Sequence, residues 1–297
     1  MPPISCNLGR DAVGPHLPSM LKTNREFLTH LVEEEQKERN TMEGTELQPH
    51  IQLRQGQVQP VVLTMGDPKR VDAVLELCDS YEHLSYNREY KSATAEIDGE
   101  KITVISHGVG AAGAMICFEE LIKLGAKVII RAGTCGSLKP DKIKPGDIVV
   151  PYAVARDPDV CDMYVSTRMP AVATPEVHQA LIEVGKEMSI PLKPGIGLSN
   201  GLFYGGGGEH IQCLKKWAEL TDFIDCEFHC LFLVGLVRGV QTGGLATVDG
   251  SPLQWDQANY DPTGSACVEG KVKMLKLALR TCSRLSKDLN TTGKTSG

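Results

Sequence analysis

Three short stretches hold the residue types that an oxyanion needs, directed N–H donors and fixed positive charge. Gly66-Asp67-Pro68-Lys69-Arg70 places a glycine where a backbone N–H can approach an anion, with an arginine one turn later. Arg131-Ala132-Gly133-Thr134 supplies a guanidinium, a flexible backbone and a hydroxyl, and Arg88 in Tyr86-Asn87-Arg88-Glu89-Tyr90 offers a third cation. Phosphate suits such a set, because arginine forks match its oxygens two at a time. Taken singly each stretch is a weak signal, since Gly-Asp-Pro is a common turn and a surface arginine is usually solvated.

Two carboxylates add a second kind of chemistry. Glu227 stands at the start of a strongly apolar stretch, Phe228 to Val237, where an acid commonly complements a helix dipole. Asp249 follows the apolar run Leu245 to Val248 and precedes a glycine. Such an Asp is often only a turn former, but in a pocket its carboxyl can hand a proton to a leaving group. Cys226, His229 and Cys230 suggest a soft-metal site, yet their spacing fits no standard zinc pattern. Helix packing is the expectation there, with no metal.

These residues need a scaffold, and the punctuation supplies one. Val61 to Met65 reads as a buried strand ending at Gly66, followed by helical spacing at Val71, Val74, Leu75 and Cys78. Ile102 to Ser106 and Val128 to Ile130 read as further strands, with Met115, Phe118 and Ile122 on one helical face between them. Strands are also expected at 148–154, 222–225 and 244–248, and helices at 175–188, 209–220, 227–238 and 265–289. Alternation of this kind implies an α/β fold, one domain with a central mixed sheet flanked by helices. Ligands in such folds bind beyond the strand C-termini, where the candidate residues fall.

Residues 1–45 read as an N-terminal extension with one short amphipathic stretch at Phe27, Leu28, Leu31 and Val32; residues 46–290 form the domain and 291–297 a disordered tail. A net charge of −6 argues against wrapping nucleic acid. Ten cysteines without a C-x-x-C pair read as reduced core thiols and a cytoplasmic address. Neither a membrane span nor a signal peptide is expected.

From about Gln48 to Lys287 the sequence resembles the hexameric purine nucleoside phosphorylases of protozoan parasites, within the wider purine and uridine phosphorylase family. The resemblance is carried by Val61 to Pro68, Tyr86 to Ser92, Ser106 to Gly110, Glu119 to Leu121, Gly125 to Leu138 and Val248 to Asp256. It implies a nucleoside phosphorylase fold and a pentosyltransferase that splits inosine- or guanosine-type nucleosides into free base and ribose 1-phosphate, a step of purine salvage. Gly66, Arg70, Arg131 and Thr134 would hold phosphate, with Arg88 reaching the neighbouring subunit's site. Glu227 would bind the ribose hydroxyls beside Cys226, and His50 would cross a dimer interface to the ribose 5′-hydroxyl. Phe203 would pack on the base with Val109 and Ile224, and Asp249 would be the general acid. Inorganic phosphate is the co-substrate, no cofactor or metal is implied, and the assembly would be a homohexamer, a trimer of dimers.

The chain also departs from the pattern. Cys226 stands where relatives carry a methionine against the sugar, and His229 where they carry a small residue. Gly205 to Gly208 replaces larger polar residues, which predicts a looser edge to the base pocket. Gly207 and Glu209 occupy positions where uridine phosphorylases read uracil, so the uridine reading weakens. Two alternatives remain at this stage: a nucleosidase that uses water, and a low-activity or inactive paralogue that binds a nucleoside or a partner on the same scaffold.

Overall fold

Val61–Met65 forms strand β1, buried along its whole length and paired in parallel with β4 (Glu100–Ser106) on one side and β5 (Val128–Ser137) on the other. A strand covered on both faces has no polar side, which is why its sequence reads as an unbroken apolar run. The computed structural model describes residues 47–205, 207–257 and 260–292. The expected N-terminal extension, including its amphipathic stretch, lies outside the described residues.

The chain leaves β1 through helix α1 (Pro68–Leu75), where Asp67 caps the start by accepting from Lys69 N at 2.9 Å and Pro68 occupies the first turn. Strands β2 (Ser80–Asn87) and β3 (Tyr90–Ile97) then form an antiparallel meander with β4. Helix α2 (Ala111–Lys123) leads into β5. The rest of the sheet comprises β6 (Ile148–Arg156), the two-residue β7 (Ala171–Val172), β8 (Leu192–Ser199), β9 (Phe223–Asp225) and β10 (Gln241–Gly250). Helices α3 (Pro175–Glu187), α4 (Gly207–Leu220), α5 (Phe228–Arg238) and α6 (Ser265–Thr292) complete the layers.

Strand β5 pairs with β1, β10 and β9 along its length. Because β10 pairs on to β6, β6 to β8 and β8 to β9, these five strands close on themselves, and β1, β4, β3 and β2 extend from the ring as an open sheet. Side chains alternate across the sheet with a period of two. Val62, Ile105 and Ile129 face a core shared with Phe118 and Leu121 of α2 and Leu231 and Phe232 of α5. Leu63, Val104 and Ile130 face the opposite core, with Val74 of α1, Leu181 of α3 and Met274 and Leu277 of α6. Each such side chain contributes about 1.5–3 kcal/mol when fully buried.

The expected strands are present, and β5 and β10 run further than their apolar stretches suggest. The β2–β3 hairpin was not anticipated: Ser80–Asn87 is mostly polar and exposed, an edge strand with no apolar face to read. Helix α6 continues through Thr292, so residues 291 and 292 are helical rather than tail. Among the described residues no helix is long and apolar enough to cross a membrane.

Candidate active site

A cavity of about 500 Å³ opens where β1, β5, β9 and β10 end. Its floor includes Gly66, Arg70, Arg131 and Thr134, its walls Cys226, Glu227 and Asp249, and its mouth Val109, Phe203 and Ile224. Ten of the twelve residues singled out in the sequence therefore converge on one space.

Backbone proximity sets the floor. A side chain at Gly66 would put a Cβ 3.0 Å from the Gly108 carbonyl, a tight contact that glycine relieves where the two strand ends approach. Arg70 donates to Ala132 O at 3.3 Å. Burial and then the neighbouring Arg131 guanidinium lower its pKa, since two cations here lie close together out of water.

Arg131 is 3% exposed and folds back along its own strand, since a Cβ at Gly133 would sit 2.5 Å from its Nη1. Its guanidinium stacks 4.9 Å from the Phe228 ring centre. Nη2 donates to Glu227 Oε2 and, at 3.4 Å, to Asp225 Oδ2, while Nη1 lies 3.4 Å from His107 Nε2. Burial opposes the Arg131 charge, but Glu227 and Asp225 outweigh it and raise the pKa. Burial and Arg131 drive the His107 pKa well down, so that imidazole is neutral and serves as an acceptor. Arg131 Nε is buried without a hydrogen-bond partner, one donor still unspent.

Glu227 is held from both ends, by Gly110 N at 2.7 Å on Oε1 and by Arg131 on Oε2. Burial lifts its pKa and Arg131 pulls it back; close contact with a guanidinium that does not deprotonate keeps the pair ionised. The structure corrects its place in the chain: Glu227 precedes α5 and makes no side-chain cap bond. Asp225 does that work, accepting from Glu227 N at 3.0 Å and Phe228 N at 2.9 Å. Cys226 borders the cavity as a neutral thiol, its pKa pushed up to about 12 by burial and then by Glu227.

Asp249, 8% exposed, has a pKa raised to about 6 by burial, partly offset by a hydrogen bond from Thr134 and by the charges of Lys271 and Arg70. A carboxyl with such a pKa can hold and release a proton near neutrality. The mouth is different in kind. Val109 is 88% and Phe203 46% exposed, and Phe203 packs edge-on to Tyr204 at 5.0 Å and Tyr260 at 6.4 Å.

The residues at 60–289 match the family profile of the Phosphorylase superfamily. The chain belongs to it. Within this superfamily it is 44% identical over 246 residues to the purine nucleoside phosphorylase of Plasmodium vivax, covering 83% of this chain and 99% of the relative. A crystal structure of Toxoplasma gondii purine nucleoside phosphorylase in complex with immucillin-H matches with a TM-score of 0.80 at 44% identity, over 83% of this chain and 99% of that one. The Vibrio fischeri uridine phosphorylase structure matches at 0.73 and 30% identity, over 82% and 100%.

The two remaining expected residues, His50 and Arg88, do not line the cavity. Arg88 sits exposed at the β2–β3 turn with φ of 54°, a left-handed conformation suited to a two-residue hairpin tip. His50 Nδ1 lies 2.6 Å from Glu120 Oε1, and Glu120 also accepts from Ile51 N at 2.8 Å. Asn87, next to Arg88, donates to His50 O at 2.7 Å, so His50 and Arg88 share one corner of the surface.

Several cavity residues were missed in the sequence. Tyr260 arrives through an isolated bridge to Gly250, which no local pattern announces. His210, rather than Glu209, reaches the cavity from the glycine-rich segment. A Cβ at Gly205 would fall 2.0 Å from the His210 ring, so this glycine makes room for an imidazole at the mouth. Cys226, His229 and Cys230 diverge: Cys226 borders the cavity, His229 is buried elsewhere, and Cys230 Sγ donates to Glu227 O at 3.1 Å.

Proposed function

We propose that the chain is a purine nucleoside phosphorylase that converts inosine- or guanosine-type nucleosides and phosphate into free base and ribose 1-phosphate. The observation that carries this reading is one cavity holding two adjacent guanidiniums, a clamped carboxylate and an acid with a pKa of about 6. Phosphate would occupy the floor, taking N–H donors from Gly66 and from the Arg70 and Arg131 guanidiniums, with the Thr134 hydroxyl turning to it from Asp249 once that carboxyl is protonated. Glu227, already fixed by Gly110 and Arg131, would accept from the ribose hydroxyls and orient the sugar over that anion.

As the C1′–N9 bond lengthens, the phosphate dianion stabilises positive charge on the ribose and a phosphate oxygen then bonds C1′. The electron pair of the broken bond moves into the purine, and Asp249 delivers its proton to N7. Every charge the reaction develops is met by a group of this chain or by phosphate, and no cofactor enters. Retention of Arg70 and Arg131 in the cavity supports phosphate over water as the nucleophile, since hydrolysis has no use for a paired cation floor. Purine over uridine rests on the higher identity to relatives named purine nucleoside phosphorylase, 44% against 30% for the uridine phosphorylase structure.

Assembly belongs to the same proposal. His50 and Arg88 lie together on the surface of their own chain, which supports their joint donation to a neighbour's cavity, in a dimer and then a homohexamer built as a trimer of dimers. A reducing, cytoplasmic address fits the nine free cysteines among the described residues. The test is base release from inosine, guanosine, adenosine and uridine with and without phosphate. Phosphate-dependent cleavage of the first two is expected; equal cleavage without phosphate indicates a nucleosidase, and binding without cleavage an inactive paralogue. Mixing inactive Asp249→Asn and Arg88→Ala chains tests sharing, because hybrids with one intact site regain activity only if Arg88 acts across subunits.

A further inference from the structure

Helix α5 gives His229 no metal-binding company, and its polar partners come from elsewhere. His229 Nε2 lies 2.6 Å from Asp159 Oδ2, and the donor atoms of His229, Asp159 and Cys161 all lie within 4.8 Å of one another. His229 is 1% exposed and Cys161 fully buried, with Asp159 half-buried at the rim. His229 Nδ1 is enclosed without a hydrogen-bond partner, an incomplete set for a buried imidazole. The Cys161 thiol donates to the Met115 thioether at 3.6 Å, a weak acceptor, with the Asp159 carboxylate also close by.

We propose that Asp159, Cys161 and His229 form a zinc site separate from the catalytic cavity, with a water as the fourth ligand. Imidazole nitrogen, thiolate sulfur and carboxylate oxygen are the three donor types zinc takes, at about 2.0–2.3 Å. Tetrahedral ligation at those lengths puts donors about 3.3–3.8 Å apart, so the imidazole and the carboxylate must part by about 1 Å. The half-exposed Asp159 side chain can move by that much and leaves water a path to the ion. The carboxylate is already presented: its Oδ1 accepts from Cys161 N at 2.8 Å at the start of the short 3₁₀ turn Val160–Met163. None of the three residues borders the catalytic cavity.

Without an ion the thiol stays protonated, because burial and then Asp159 push it up to about 12. Zinc binding breaks the S–H bond as the Zn–S bond forms, and that proton leaves to solvent; the Nε2 proton that faces Asp159 gives way to the Zn–N bond and the ring takes up its proton on Nδ1 instead. Nothing is oxidised or reduced. The ion would tie the turn after β6 to the first turn of α5, two residues beyond Glu227. It would act as a structural clamp with no part in bond cleavage, and phosphorolysis should continue in chelator.

The test uses the full chain stripped with chelator, titrated with Co²⁺ in one arm and Zn²⁺ against a chromophoric competitor in the other. One equivalent per chain is expected, with a near-ultraviolet thiolate-to-cobalt band, release of about one proton and a raised Tm. Cys161→Ser should abolish the band. His229→Gln and the milder Asp159→Asn should weaken zinc by more than the roughly 10–100-fold typical of outer-shell partners. The proposal is overturned if the wild-type chain takes up no zinc at micromolar concentration. A cobalt band that persists unchanged in Cys161→Ser overturns it too, because the thiolate then belongs to another cysteine of the chain. The wild-type stoichiometry and band decide the matter even if a variant fails to fold.

Discussion

The floor and the mouth of the cavity are built on opposite principles. In the floor and walls, Arg131, Glu227 and Asp249 are each at most 8% exposed and sit within β5, at the start of α5 and near the end of β10, with Arg131 and Glu227 each fixed by several partners. At the mouth, Val109 is 88% and Phe203 46% exposed, and both lie on connecting segments. Groups that meet developing charge must be positioned before the substrate arrives, and rigid, dry surroundings make their fields count. Groups that meet the flat base need only area and can adapt. Under the proposed function, the contrast assigns chemistry to the buried lining and selection to the mouth.

That division can be broken first at Asp249. Asp249→Asn should lower kcat by ~10²–10⁴-fold while phosphate affinity stays close to wild type; a comparable loss in both would falsify the assigned role. The pH dependence sharpens it. Asp249 is protonated below about 6 and ionised above, so the acid-dependent limb of kcat/KM should fall as pH rises through about 6 and vanish in the variant. Stability runs the same way. A raised carboxyl pKa contributes stability below its unfolded value that is lost as pH climbs through about 6. The variant should therefore gain on wild type between about pH 4 and 6, by at most about 3 kcal/mol in urea unfolding, with no further change above that range.

A floor residue should also matter to folding. Arg131→Met leaves Glu227 and Asp225 buried without their cation, and a loss of about 3–5 kcal/mol is expected in urea unfolding. Adding Glu227→Gln should return part of it, whereas strictly additive losses would show that the two side chains act separately.

The mouth should behave otherwise. Phe203→Ala should raise nucleoside KM by roughly 5–10-fold, about 1–1.4 kcal/mol, with stability within about 0.5 kcal/mol of wild type. Gly205→Ala, which must push the His210 ring aside, should change KM only about two- to threefold and leave kcat alone. A large kcat effect from either would erase the distinction between the two regions.

The floor was legible in the sequence for the same physical reason. Glycines and arginines at the ends of buried strands stand out against apolar runs, so Gly66, Arg70, Arg131 and Thr134 could be read from type and position. The mouth was legible only through resemblance, because Phe203 and Ile224 look like core residues and Tyr260 reaches the cavity through one bridge. The β2–β3 hairpin was hidden by its polarity, and Asp225 was read as the end of a strand although its side chain also caps α5. His229 was judged against its neighbours in sequence, whereas Asp159 and Cys161 meet it only in space.

Strand β5 carries Arg131 and Thr134, and one of its three neighbours, β10, is among the last strands synthesised. A nascent chain that has emitted β5 but not β10 has half of that strand's hydrogen bonds unmet and no Asp249. Closure of the ring is thus a late, long-range event, of the kind that slows folding. Truncated products of translation or proteolysis would then have no partial activity to offer, and they would expose an unpaired strand edge that quality-control machinery can recognise.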